Sequence, residues 1–338
     1  MLYVCCDKNM FLSTSVASME NIASSIRNGG FELSPVGILE SLLNMGFSQV
    51  QELARYLVLF MCFGMLTTLI SLLGKDMSAQ VGSAGFFACY GAVAATAIKC
   101  FSICQEYASN TIGDMTEFIT KLSPMLATLI ITSGKSVTAA TFHPVLSAAV
   151  YVVSIICYKC VFPLTSYAVV LSVADNLSDQ VRISGICKLM NSISKWILAL
   201  SFTLFTGICA VYGFSAPSLD AVGAKTIKFA VGSLVPVVGG FLAETLETVV
   251  SGGRLMKNSV GAAGLVVLCT MCAMPVIKIG AMAIIVRISA AITEPVCDKR
   301  ISALLMGISR SITTLFAMVA TVAVLFLICI SILLAATG

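Results

Sequence analysis

Two cysteine pairs stand in matching settings. Cys157-Tyr158-Lys159-Cys160-Val161-Phe162-Pro163 and Cys269-Thr270-Met271-Cys272-Ala273-Met274-Pro275 both read C-x-x-C-x-x-P. On a helix, positions i and i+3 share a face. Four thiolates brought together would suit zinc or an iron–sulfur cluster. The plainer reading is two faces of small, soft residues that let helices pack closely. Lys159 alone adds a nearby positive charge that would favour thiolate. Packing without a metal is therefore expected.

Charges inside apolar runs are more telling, because each costs about 2.5–3.5 kcal/mol near a bilayer centre on insertion scales. Glu244 and Glu247 are also spaced i, i+3, with Thr248 beside them. They follow Pro236 and Gly239-Gly240, which weaken regular helix. Interrupted helices are tolerated at membrane depth where they line a polar cavity. The pair reads as the wall of a polar path or gate, or as two carboxylates at the membrane surface beside Ser251-Gly252-Gly253. Lys159 and Lys278 lie in other apolar runs and either snorkel or pair with carboxylates. Pro124, Pro163 and Pro275 mark further helix breaks or packing points. The one histidine, His143, precedes Pro144 and reads as a loop residue. Ser133-Gly134-Lys135-Ser136 mimics the end of a P-loop, but the required earlier glycine is Leu129. No catalytic set and no cofactor site is read, and an enzyme is not expected.

These residues need a scaffold, and composition names it. Of 338 residues, 58% are hydrophobic and 11% charged, with mean hydropathy +1.01. Soluble domains run at roughly 45–50% apolar and about 25% charged. A globule of this size could not hide the surplus from water. The surplus faces lipid, so the lipid bilayer is the first partner. A net charge of +4 spread over such a chain gives no nucleic-acid footprint.

The expected fold is all-α, a polytopic transmembrane bundle of about six to eight spans. Residues 1–52 carry an N-terminal amphipathic helical segment, with a helix start at Ser34-Pro35. Residues 53–121 hold the first two spans, Leu53–Gly74 and Val81–Cys104, followed by a loop over 105–121. Further spans are Val145–Val173, Trp196–Gly213, Ser259–Arg287 and Ser311–Ala336. Two weaker ones are Leu122–Phe142 and Phe229–Val250. The basic segments Arg182–Lys195, Arg254–Lys257 and Lys299–Arg310 do not settle orientation.

The chain also matches itself at an offset of 112 residues, Leu122 to Leu234. Leu122-Ser123-Pro124 aligns with Leu234-Val235-Pro236, and the two C-x-x-C-x-x-P segments align with each other. With a slip of three, Ile193-Ser194-Lys195 aligns with Ile308-Ser309-Arg310. The membrane units are 122–213 and 214–338. Three spans per unit, an odd number, would give an internal inverted repeat of the kind found in transporters.

The stretch Lys228-Phe229-Ala230-Val231-Gly232-Ser233-Leu234-Val235-Pro236-Val237-Val238-Gly239-Gly240-Phe241 continues through Glu247-Thr248-Val249-Val250 to Lys257-Asn258-Ser259-Val260-Gly261. It resembles the signature region of the stage III sporulation protein AE family of endospore-forming bacteria. Pro275-Val276-Ile277-Lys278, Glu294-Pro295 and the closing apolar helix fit as well. The likeness runs from about Leu53 to the end and is strongest over 228–310. Glu247 stands where the family pattern has aspartate, which keeps the carboxylate. The signal-like segment expected at the N-terminus is not seen.

The resemblance implies a multipass protein of the mother-cell membrane around the forespore. Its implied role is that of a non-enzymatic component of a sporulation secretion or channel complex, of the feeding-tube type. Partners implied are other stage III sporulation operon proteins: an ATPase, ring-forming proteins and small membrane proteins. A second copy of the chain is a further candidate. Alternative readings are an independent secondary transporter using Glu244 and Glu247, and a scaffold that only assembles the complex.

Overall fold

The computed structural model describes residues 55–70, 79–132, 136–176, 184–234, 239–295 and 297–336. Of most residues between 212 and 259 it describes the backbone alone. The expected segment 1–52 lies outside the described residues. Gln49–Gly338 forms one compact unit. Its described elements are all helical: α1 Arg55–Ile70, α2 Ala79–Thr132, α3 Ser136–Ile156, a π turn Cys157–Val161, α4 Phe162–Asp175, α5 Ser184–Leu234, α6 Gly239–Thr293 and α7 Lys299–Ala336. In lipid every backbone N–H and C=O must be paired internally, and runs rich in Ala, Val, Leu and Ile satisfy this as helix.

Among the described residues, four stretches are long and apolar enough to cross a membrane: Ala84–Thr132, His143–Asp175, Ala263–Thr293 and Lys299–Ser331. α2 and α6 have 54 and 55 residues, so each is about 80 Å long, well beyond the roughly 30 Å of hydrocarbon. Several runs that hydropathy separates are thus parts of one helix. Val81–Cys104, the expected loop 105–121 and the start of the expected span Leu122–Phe142 all belong to α2. Pro124 lies inside that helix and does not end it. Leu126 and Ile130 are buried beyond it, and Leu122 packs over Gly264. This packing holds the helix past the proline. The interruption expected at Pro236 lies outside the described residues, and Gly239 and Gly240, also expected to break helix, are the first residues described in α6.

α7 is the centre of the bundle. Ile301, Leu304, Leu305, Ile308, Ile312, Leu315, Met318, Val319, Val322 and Phe326 are buried, and so are Ser302, Ser309, Ser311 and Thr314 on its other sides. It packs against α2, α4, α5 and α6. At Gly307 a Cβ would collide with Ser172 Oγ, so glycine permits the close approach of α4.

Helix directions follow from the side-chain pairs. Along α2, Tyr90, Gln105, Ser109, Thr116 and Ser123 meet Val173, Ser166, Tyr158, Ser154 and His143. Rising numbers meet falling ones, so α3–α4 is antiparallel to α2. Leu122 with Gly264 and Tyr107 with Lys278 make α6 antiparallel to α2 as well. Ser302 with Ala290 and Ser309 with Ala283 make α7 antiparallel to α6. The two C-x-x-C-x-x-P segments therefore run in the same direction. The turns after α4 and after α6 lie at one end of the bundle. This departs from the expected inverted relation, and parity is the reason. The described residues counted as span Leu122–Phe142 are the end of α2 and the start of α3, so that stretch is not one separate helix.

Candidate functional site

The interface of α2 with α3–α4 is a ladder of polar interactions, unusual between apolar helices. Tyr90 donates from its hydroxyl to Val173 O at 2.8 Å. Ser166 donates to Gln105 Oε1 at 3.2 Å. Tyr158 donates to Ser109 O at 2.7 Å. Thr116 and Ser154 share a bond of 3.0 Å, and Ser123 Oγ lies 2.6 Å from His143 Nδ1. His143, expected in a loop, is thus a helical residue bonded across this seam.

Midway along the ladder the helix widens. Phe162 N–H bonds to Cys157 O, five residues back, which makes Cys157–Val161 a π turn. Pro163 follows in the first turn of α4, where a missing N–H costs least. The wider turn carries Tyr158 outward to Ser109, with Tyr158 and Phe162 rings 5.5 Å apart. Beside it opens a cleft of about 400 Å³, lined by Gln105, Ser109, Tyr158, Phe162, Pro163, Ser166 and Tyr167. π turns of this kind are frequent at functional sites.

On another side of α2, Lys278 Nζ sits 4.8 Å from the Tyr107 ring centroid and donates to Tyr107 Oη at 3.4 Å. A cation over an aromatic face is stabilised even with little water. A smaller cleft of about 210 Å³ lies where α4, α5 and α7 meet. It is walled by Ser172, Asp175, Lys188, Asn191 and Arg310. Buried Asn191 bonds there to Ser311 and Thr314 of α7, at 3.3 and 3.2 Å. In the turn after α6, burial pushes the Cys297 thiol up, and a hydrogen bond with Thr68 opposes this.

The structure sorts the sequence-derived candidates. Lys159 stands exposed on the π turn. Lys278 lies at the same level, since Tyr107 and Ser109 of α2 touch Lys278 and Tyr158. Glu244, Glu247 and Thr248 lie in α6 with Gly239 and Gly240, but their side chains are outside the described residues. Along α6, Glu247 is about 45 Å from Lys278, so those two do not share a site. Pro275 is buried within α6. Cys157 and Cys272 are buried and Cys269 is exposed. Among the described residues, no three His, Cys, Asp or Glu side chains gather as a metal site.

One feature escaped sequence reading. Glu106, Asn110, Asp114, Glu117 and Lys121 are all exposed on α2. Their spacing, i, i+4, i+8, i+11 and i+15, places them on one helix face. The charges lower local hydropathy and make the stretch look like a loop. Helical periodicity was the signal that could have found it.

The family model for stage III sporulation protein AE matches residues 17–337. The chain is 29% identical over 310 residues to "Stage III sporulation protein AE" of Bacillus subtilis (strain 168), covering 91% of this chain and 78% of that protein. No solved structure matches.

Proposed function

Because this chain belongs to the stage III sporulation protein AE family, we propose that it is the membrane-embedded, non-enzymatic part of a channel or secretion complex between mother cell and forespore. It resides in the mother-cell membrane. It works with a separate ATPase, ring-forming proteins and small membrane proteins of its operon. The observation that carries this reading is the polar seam of α2 with α3–α4. Its π turn and cleft lie level with Lys278 of α6, which sits over Tyr107. A bundle that only anchored other proteins would not need such a seam.

Residues 122–213 and 214–338 are proposed as two related units in one orientation. Supporting this, the aligned Ile193 and Ile308 lie in α5 and α7, the helices that follow α4 and α6. The shared direction counts against an inverted-repeat transporter. Glu244, Glu247 and Thr248 are proposed to wall a polar gate near the start of α6, at the far end of the bundle from the α4–α5 and α6–α7 turns.

The test uses an endospore-forming strain that lacks its own family member and expresses this chain. Glu244→Gln with Glu247→Gln should leave membrane levels and complex assembly unchanged while late forespore development fails. Normal spore yield from the double variant would remove these two residues from the proposal. Normal yield from Tyr158→Phe with Gln105→Ala would remove the seam.

A further inference from the structure

The smaller cleft, where α4, α5 and α7 meet, has a floor and a rim of different character. The floor is committed to the fold. Asn191 donates to Cys187 O at 3.2 Å and to Ser311 Oγ at 3.3 Å, and it accepts from Thr314 Oγ1 at 3.2 Å. Ser172 lies against Gly307, and Asn176 Nδ2 donates to Ser172 O at 2.7 Å. On the rim, Lys188 of α5 and Arg310 of α7 are both exposed. Among the described residues neither forms an ion pair, although Asp175 lines the same cleft. Asp175 shares its surroundings with another cation. Its charge and that of Arg300 both act on Tyr90, and Arg300 lies 5.4 Å from the centroid of the Phe86 ring stacked on Tyr90. The cleft and its edge thus carry three cations against one carboxylate. Ser184, the first residue of α5, lines the cleft too, so the positive end of that helix dipole adds to the field.

The two helices also set the depth of the cleft. α5 carries no charge over 196–219 and α7 none over 311–331. The α7 stretch is about 30 Å long, the thickness of bilayer hydrocarbon. Lys195 and Arg310 are the last charges before these stretches, and both helices start at the end of the bundle where the cleft lies. Trp196, the one tryptophan, is 75% exposed at the same boundary, and tryptophan favours the membrane–water interface. The cleft therefore opens at the headgroup level of one leaflet. At about 210 Å³ it is smaller than the roughly 300–1,000 Å³ that encloses a drug-sized molecule. It has room for a phosphate group, with the rest of the ligand outside. Leu189, Ile193, Trp196 and Leu200 are exposed on one face of α5. They form an apolar track that starts one residue after Lys188.

We infer that this cleft binds the phosphate of an anionic lipid headgroup, held by Lys188 and Arg310, with the acyl chains on the outward face of α5. Arg310 can grip two phosphate oxygens at once, and Lys188 supplies a compact charge. Basic pockets between membrane helices recognise anionic headgroups by this chemistry. A free phosphate compound offers the same anionic group but makes no use of the apolar track. The inference stands apart from the channel reading.

The test uses the full-length chain in a neutral detergent, with bound lipid counted by native mass spectrometry. Phosphatidylglycerol should be retained about tenfold better than phosphatidylcholine, whose choline cancels the phosphate charge. Lys188→Gln with Arg310→Gln should remove that preference. Lys121→Gln with Lys159→Gln, the same loss of charge more than about 20 Å from the cleft, should keep it. Inorganic phosphate at millimolar concentration should leave the lipid bound. Displacement by phosphate would assign the cleft to a free phosphate compound and overturn the lipid inference. Equal retention of the two lipids, or equal loss in the two double variants, would overturn it as well. A photoactivatable phosphatidylglycerol in liposomes gives a reading on the unaltered chain. Its label should concentrate in residues 184–200 and 303–310, and label spread evenly over the outward faces would sink the site. Spore formation in the Glu244 and Glu247 variants bears on the proposed function and leaves these results untouched.

Discussion

Cys157–Pro163 and Cys269–Pro275 share two cysteines and a proline at the same spacing, and both lie in helices antiparallel to α2. In the first segment the helix widens to a π turn and Tyr158 leaves the helix surface to bond α2. In the second the helix is unbroken. Cys272 Sγ donates to Leu268 O, Pro275 is buried, and Gly280 one turn on lets Phe316 of α7 pack closely. Both the neighbours and the residues between the cysteines differ: Tyr158 of the first segment stands where the second has Thr270. α2 offers polar groups at Gln105, Ser109 and Thr116. α7 offers an apolar surface, and its Ser302 and Ser309 bond only to backbone carbonyls of α6. One proline pattern therefore gives a wet, hydrogen-bonded seam in one place and a dry, close-packed seam in the other.

Deleting one residue from each segment separates the two seams most strongly. A π turn holds one residue more than the α-helix it interrupts. Deleting Lys159 should restore α geometry and leave α4 in register. Tyr158 then turns away from Ser109, and stability changes by about 1–2 kcal/mol. Deleting Thr270 turns one part of α6 against the other by about 100°. Ile279, Met282 and Val286 then leave α7, and the bundle is destabilised by more than about 5 kcal/mol, enough to abolish folding. Membrane-extracted yield and thermal unfolding in detergent read both. Equal tolerance of the two deletions would break the comparison.

Removing volume from the dry seam has the next largest effect. Phe326 is 0% exposed, and Phe326→Ala should cost about 3–5 kcal/mol in denaturant unfolding. The smallest effect belongs to a single bond of the wet seam. Thr116→Val removes the bond with Ser154, and such bonds within membranes average about 0.6 kcal/mol, with about 1.7 at most. A larger destabilisation for Thr116→Val than for Phe326→Ala would reverse the assignment of wet and dry.

Much of this was legible in the residues. The apolar, helical character of the described residues follows from composition. The span count and repeat direction were not legible, because hydropathy cannot tell a charged helix face from a loop. Glu106, Asp114 and Glu117 cut α2 in a hydropathy profile while leaving it whole as a helix. Pro124 reads as a break, yet the packing of Leu122, Leu126 and Ile130 carries the helix through. The bond of Tyr158 on the π turn reaches the carbonyl of Ser109, forty-nine positions away, and no local pattern announces such a partner. For the same reason Lys278 was recognised as costly but its partner Tyr107 was not.

The shared direction of the two halves is tested most directly at their turns. A short protease site placed at Asn176, after α4, or at Asp298, between α6 and α7, should be cut in intact membranes by protease added to the same side. Cleavage of the two sites from opposite sides would mean an inverted pair and would contradict the arrangement of helices described here.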